Sequence, residues 1–225
     1  MSNNVDKEKI ARENILKQGE ELEGAVVKGY DFNKGLDYKE IIKSFASTGY
    51  QATHFSKAVE IINKMQEEKA KHGDKAKIFL GYTSNMVSSG LREIFRYLVE
   101  HKKVDVIVTS AGGVEEDIIK CLGDFILGDF KAKGSELRDK AINRIGNIFV
   151  PNSRYIAFEN LVMPILEEIY QEQKINNKFI TPSQIVWKLG EKINNERSIC
   201  YWAWKNKIPI YCPALLDGSF GDMVY

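Results

Sequence analysis

The chain has 225 residues, 44% of them hydrophobic and 28% charged, which is the composition of an ordinary globular protein. A formal net charge of +1 leaves no basic field that would favour nucleic acid as a partner. No stretch reaches the roughly 18 consecutive apolar residues of a transmembrane helix, and the charged N-terminus lacks the apolar core of a signal peptide. We therefore expect a cytoplasmic protein that binds neither a membrane nor nucleic acid.

The cysteines and histidines indicate neither a disulfide framework nor a metal site. Cys121, Cys200 and Cys212 form an odd set whose wide spacings match no zinc motif. The three histidines are scattered along the chain. We expect reduced, buried thiols and no bound metal ion.

Residues 1–28 are polar and charged, and we interpret them as a mobile N-terminal arm with one short helix near residues 13–18. Residues 29–225 are expected to form one α/β domain. Within it, apolar spacing predicts helices over 37–47, 55–73, 91–102, 115–122, 159–173, 181–194 and 198–207. Apolar runs predict strands over 77–82, 104–109, 146–151 and 208–215.

Local signals support two of the predicted helices and add one ambiguity. Thr181 and Gln184 have the spacing of a capping box, and Gly73 suits the end of the helix that precedes it. Pro164 either kinks its helix or marks the first turn. Strands that alternate with helices, and that are apolar throughout, predict a Rossmann-like parallel sheet with helices on both faces.

Three loops follow predicted strands at their carboxyl ends, where sheets of this kind bind ligands. They span residues 83–90, 110–117 and 215–225. The first loop, TSNMVSSG, carries hydroxyl and amide groups that suit phosphate oxygens, although Ser84 or Asn85 could equally cap a helix. It has neither the Walker A spacing nor G-x-G-x-x-G, so the motif by itself is weak.

The other two loops combine glycines with carboxylates. Gly112 and Gly113 would either let a nucleotide approach the backbone or form a simple tight turn. Acids after them would either compensate the helix dipole or bind ribose hydroxyls and a cation. Four carboxylates are predicted to surround one crevice: Glu115, Glu116, Asp217 and Asp222. Because unpaired acids repel one another, a metal ion or an organic polycation such as a polyamine would stabilise them.

Several long blocks of the sequence resemble deoxyhypusine synthase. They are residues 28–35, 48–59, 78–93, 104–122, 143–152 and 208–223. The resemblance implies an enzyme that uses NAD to oxidise and cleave spermidine and holds the butylamine group on a lysine as an imine. That group then passes to one lysine of the precursor of the hypusine-containing translation initiation factor. The family is tetrameric, so a second copy or a paralogue is an expected partner.

The resemblance also implies roles for individual residues. The expected NAD contacts are Ser84, Asn85, Met86, Val87, Ser88, Ser110, Ala111, Gly112, Glu116 and Asp217. The expected spermidine contacts are Glu115, Glu116 and Asp222. Ser110 stands where the family commonly has threonine, which keeps the hydroxyl group.

One departure from the family concerns length. The imine-forming lysine of the family belongs to a segment that has no matching position up to Tyr225, so we expect no catalytic residue in this chain. The domain is then incomplete, with the C-terminal part of the family fold missing, and the chain alone is expected to be inactive. Two alternatives stay open: a non-catalytic regulatory paralogue of a heterotetramer, against which the retained acids count, and homospermidine synthase, which uses putrescine as acceptor.

Overall fold

The computed structural model describes residues 2–17 and 19–224, with side chains from residue 7 onward. Its helices are α1 Ser2–Ile15, α2 Tyr38–Thr48, α3 Tyr50–His72, α4 Ser84–Ser88, α5 Arg92–Glu100, α6 Ala111–Leu122, α7 Gly134–Asp139, α8 Ser153–Asn176, α9 Pro182–Ile193, α10 Ile199–Asn206 and α11 Ser219–Val224. Its strands are β1 Phe79–Tyr82, β2 Val106–Thr109, β3 Ile126–Leu127, β4 Ile142–Ile145, β5 Ile148–Pro151 and β6 Ile210–Tyr211. The chain divides into two compact units, residues 1–64 and 65–225.

The first unit is helical. The short helix predicted near residues 13–18 is instead the longer α1, which ends at Ile15. Asp37 caps α2 by accepting hydrogen bonds from the amides of Lys39 and Glu40. Gly49 separates α2 from α3 with φ 90°, a value that favours glycine. The mobility predicted for residues 1–28 stays a prediction.

The second unit contains the predicted parallel sheet, in the order β1-β2-β6. Phe79 pairs with Val106, and Ile107 pairs with Ile210, with all three strands parallel. The last strand is much shorter than the predicted range 208–215. Pro213 supplies no amide for a sheet ladder, which is consistent with the end of pairing at Tyr211.

Helices flank this sheet and form the core with it, which confirms the predicted α/β class. α10 packs against α5 and α9, and α6 packs against α8. Ile107 of β2, Ile118 of α6, Phe158 of α8 and Ile199 of α10 are all 0% exposed. Burial of these side chains is the main favourable term that holds the helices against the strands.

A second, antiparallel sheet was not predicted. Its order is β3-β5-β4, and only β5 falls within a predicted strand. β4 carries the polar pair Asn143 and Arg144, so its sequence lacks a continuous apolar run. The two-residue connection from Ile145 to Ile148 contains Gly146 at φ 61°, a hairpin signal that the sequence does carry.

All three predicted loops are partly helical, which corrects the prediction. Residues 84–88 form α4, and the third loop forms a short 3-10 helix, Leu215–Asp217, followed by α11. The glycines of the second loop lie inside the first turn of α6. Pro164 lies in the interior of α8, so it does not mark a first turn.

Candidate functional site

The three segments that follow β1, β2 and β6 meet at the carboxyl end of the parallel sheet. The amide of Ser84, at the start of α4, donates to the hydroxyl of Ser110 at 3.2 Å. The Ser88 hydroxyl donates to a carboxylate oxygen of Glu116. Glu115 in turn accepts hydrogen bonds from the start of α11. α6 therefore lies between the other two segments and contacts both.

The two glycines of α6 are required for packing. A Cβ atom on Gly112 would lie 2.5 Å from the Cβ of Ser84, and one on Gly113 would lie 2.1 Å from the Thr109 hydroxyl oxygen. Any side chain at either position would force α6 away from α4 or β2. The tight turn, one of the two alternatives for this pair, is thus not formed, because both residues are helical.

Glu116 is the most perturbed carboxylate at this edge. It is 8% exposed, and its carboxylate accepts the Ser88 hydroxyl. Burial raises the pKa of Glu116 from 4.5 to about 7, the nearby charge of Glu115 adds to the rise, and the Ser88 hydrogen bond and Lys120 oppose it. A carboxyl group with this pKa changes charge near neutral pH, which is a property that functional sites use.

Glu115 is equally buried but is held by backbone amides. Its two carboxylate oxygens accept from the amides of Ser219 at 3.2 Å and Phe220 at 2.9 Å. Burial raises the pKa of Glu115, the charge of Asp222 adds to that rise, and the two amides lower it. Gly218 lies against the same carboxylate, where a Cβ would come within 2.5 Å of an oxygen. Glu115 therefore anchors the segment that carries Asp222.

The remaining predicted contacts differ in their accessibility. Asn85, Met86, Asp217 and Asp222 are exposed, and Ser84, Ser110 and Gly112 are partly exposed. Val87 is 0% exposed and Ala111 is 4% exposed, so the structure uses both side chains for packing. The predicted NAD and spermidine contacts lie on α4, on α6 or in the segment after β6, except Ser110, which immediately precedes α6. Their roles as ligand contacts stay predictions.

The third acid of the run, Asp117, belongs to a buried network that the sequence did not reveal. It is 0% exposed and accepts from Arg92 at 2.8 Å, from the Ser198 hydroxyl at 2.6 Å and from the amides of Ile199 and Cys200. It thus caps α10 and pairs with a buried arginine. Arg92 could have been found from the sequence, because it is a charged residue on the apolar face of its predicted helix.

Lys120, one turn beyond Glu116, was also missed. Its ammonium group donates to three backbone carbonyls at the end of α4. The loops gave no signal for it, because no basic residue occurs between 83 and 90 or between 110 and 117. The structure adds this cation from the next turn of α6.

Two general properties of the described chain bear on the site. Among residues 2–17 and 19–224, no three His, Cys, Asp or Glu side chains lie close enough together to hold a metal ion. Over the same residues, no helix is both long enough and apolar enough to span a membrane. The fold is that of an α/β protein with a parallel sheet flanked by helices, a class in which ligands bind beyond the carboxyl ends of the strands.

Comparison with known proteins identifies the family. The deoxyhypusine synthase family model matches residues 40–225. A deoxyhypusine synthase from Senecio vernalis is 50% identical over 94% of this chain, and homospermidine synthase 2 from the same organism is 47% identical over 96%. A crystal structure of a candidate deoxyhypusine synthase from Entamoeba histolytica superposes with TM-score 0.65 and 38% identity, covering 88% of this chain and 65% of that one.

The chain belongs to the deoxyhypusine synthase family, as its sequence blocks indicated. It spans 62% of the length of the Senecio deoxyhypusine synthase and 63% of the homospermidine synthase. The family assignment therefore concerns the part of these relatives that the chain spans, and the relatives named above are synthases by name.

Proposed function

We propose that this chain supplies the cofactor- and polyamine-binding part of an NAD-dependent deoxyhypusine synthase. The reaction transfers the butylamine group of spermidine to one lysine of the precursor of the hypusine-containing translation initiation factor. This proposal rests on one arrangement: a hydroxyl-lined helix start meets the buried acids Glu115 and Glu116 at the carboxyl end of the sheet. A nucleotide needs the first of these surfaces and a polycation needs the second.

The donor set at this edge fits NAD. Ser110 precedes α6 but its side chain does not cap the helix, so the first amides of α6 receive no side-chain cap. Such amides suit phosphate oxygens. The exposed carboxylate of Asp217 suits ribose hydroxyls, and Asn85 offers an amide. When bound, NAD would supply a hydride acceptor for the amine carbon of the substrate.

The acids at the same edge fit an ammonium-bearing substrate. Glu115 and Glu116 are buried, and burial raises the pKa of each carboxyl group. A cation bound nearby would stabilise their charged forms. Asp222 lies on α11, whose first amides bind Glu115. These three carboxylates would bind and orient the polyamine, and the burial of Glu115 and Glu116 keeps water away from their side of the site.

Replacing each of the two exposed acids by alanine tests which one binds the cofactor and which one binds the substrate. We expect Asp222→Ala to weaken spermidine binding by roughly 10- to 100-fold, since a charge-assisted contact is lost, and to leave NAD binding nearly unchanged. Asp217→Ala should do the opposite. Isothermal calorimetry on the purified chain measures both ligands, and the exposed Asp139→Ala serves as the matched control. Equal weakening of both ligands by either variant would contradict the division.

The homospermidine synthase relatives support a second candidate acceptor. Homospermidine synthase 2 from Senecio vernalis is nearly as similar to this chain as the deoxyhypusine synthase from the same plant. In that case the acceptor would be putrescine in place of a protein lysine. Separate binding measurements with putrescine and with the purified factor precursor distinguish the two acceptors. Selective binding of the precursor supports the first candidate, and selective binding of putrescine supports the second.

We also propose a second copy of the chain, or a paralogue, as a partner, because the family is expected to be tetrameric. Size-exclusion chromatography with light scattering would give the mass of the assembly. A strictly monomeric chain at high concentration would contradict self-association.

A further inference from the structure

α4 lies along one face of α6 and is held there by contacts at three positions of α6. Gly112, Glu116 and Lys120 are spaced four residues apart, so they lie on the same side of the helix. Gly112 is in close contact with Ser84, and Glu116 accepts the Ser88 hydroxyl. Lys120 contacts the last turn of α4. One face of α6 thus determines where both ends of α4 lie.

The contact made by Lys120 uses its full hydrogen-bonding capacity. Its Nζ donates to the carbonyl oxygens of Val87 at 2.9 Å, Ser88 at 3.1 Å and Ser89 at 3.1 Å. An ammonium group has three donors, and all three are directed at the end of α4. The last carbonyls of a helix lack partners within the helix and form the negative end of its dipole. A cation is therefore well suited to this position.

α4 depends on such contacts because it is short. It has five residues, from Ser84 to Ser88, and a helix of this length is not stable by itself in water. Its position must come from tertiary contacts. These five residues are also among the NAD contacts that the family resemblance implies.

We propose that Lys120 is a positioning residue that holds the end of α4, and thereby places the cofactor-binding residues Ser84–Ser88 and the Ser88 hydroxyl that contacts Glu116. The part that concerns NAD rests on the proposed function, whereas the placement of Ser88 against Glu116 does not. Lys120 acts through the backbone of α4, so it is not itself assigned a contact with either ligand.

Charged groups around this contact give the proposal a measurable signature. Lys120 is partly buried, and burial lowers its pKa, with Arg92 lowering it further and Glu93, Asp117 and Glu116 raising it. From the other side, Lys120 lowers the pKa of Glu116, which Glu115 raises. Removing the cation and displacing Ser88 both act on Glu116 in the same direction.

The test compares Lys120→Met, Lys120→Arg and the control Lys140→Met, an exposed lysine after α7, in the purified chain. We expect Lys120→Met to weaken NAD binding about tenfold, because α4 loses the three hydrogen bonds that hold its end, and to affect spermidine less. We also expect a higher Glu116 pKa in the ligand-free chain, measured by carbon NMR of the carboxyl group. Lys120→Arg should restore most of both properties, and Lys140→Met should change neither.

The outcomes separate this proposal from the proposed function. If the unmodified chain does not bind NAD, the proposed function fails, and an unchanged Glu116 pKa would still count against the role of Lys120. An unchanged Glu116 pKa in Lys120→Met overturns the proposal. So does a uniform loss of NAD binding, spermidine binding and melting temperature that arginine does not restore, because that pattern is general destabilisation.

Discussion

Replacing Glu116 by glutamine should change the free energy of unfolding in a pH-dependent way. The difference between Glu116→Gln and the parent chain should shift in favour of glutamine as the pH rises. In the folded protein, burial raises the Glu116 pKa from 4.5 to about 7. The folded state therefore binds this proton more tightly than the unfolded state. The contribution of Glu116 is favourable below about pH 4.5 and is lost as pH rises towards 7 and above. Glutamine keeps the size of the side chain but cannot ionise.

The magnitude follows from the two pKa values. Relative to a side chain that does not ionise, the raised pKa lowers the free energy of unfolding by about 1 kcal/mol at pH 5 and by about 3 kcal/mol at pH 8. The stability difference between Glu116→Gln and the parent should thus change by about 2 kcal/mol over that interval, in favour of glutamine at pH 8. Urea denaturation at pH 5 and pH 8 measures it, with the exposed Glu159→Gln as the matched control. A difference that is the same at both pH values would refute the linkage between burial and ionisation at this position.

Further predictions concern the surrounding contacts. Binding of spermidine at pH 7 should release about half a proton from Glu116, seen as a buffer-dependent enthalpy in calorimetry; no buffer dependence would contradict it. Asp117→Asn should lower the free energy of unfolding by roughly 3–5 kcal/mol, because it leaves the buried Arg92 without its charge partner, and a loss under about 1 kcal/mol would be too small for that role. Gly112→Ala should reduce thermal stability, since the new Cβ clashes with Ser84, and an unchanged melting temperature would disprove the close packing. Thr181→Ala should cost about 1 kcal/mol through loss of the capping box, whereas an unaltered denaturation midpoint would rule out that contribution.

Local sequence patterns were sufficient for the elements whose stability is local or strongly apolar. The capping box at Thr181 and the glycine that ends α3 at Gly73 were both read correctly. β1, β2 and β6 lie within predicted apolar strands, and their carboxyl ends lead to the three segments that meet. The antiparallel sheet was not predicted because its strands are short. One strand contains Asn143 and Arg144, so the alternation of apolar and polar residues that marks a strand was weak.

The amino-acid sequence by itself determined the α/β class, the family and four candidate site acids, Glu115, Glu116, Asp217 and Asp222, because all of these depend on residue types and spacings along the chain. Only the tertiary structure decided how those acids differ. Glu115 is held by amides 104 and 105 residues away, Glu116 titrates near neutral pH beside Ser88, and Asp117 caps α10 in the core. The physical reason is that burial and hydrogen bonding, which set the ionisation of each carboxylate, come from segments that are distant in sequence. The position of Lys120 at the end of α4 depends on the same long-range packing.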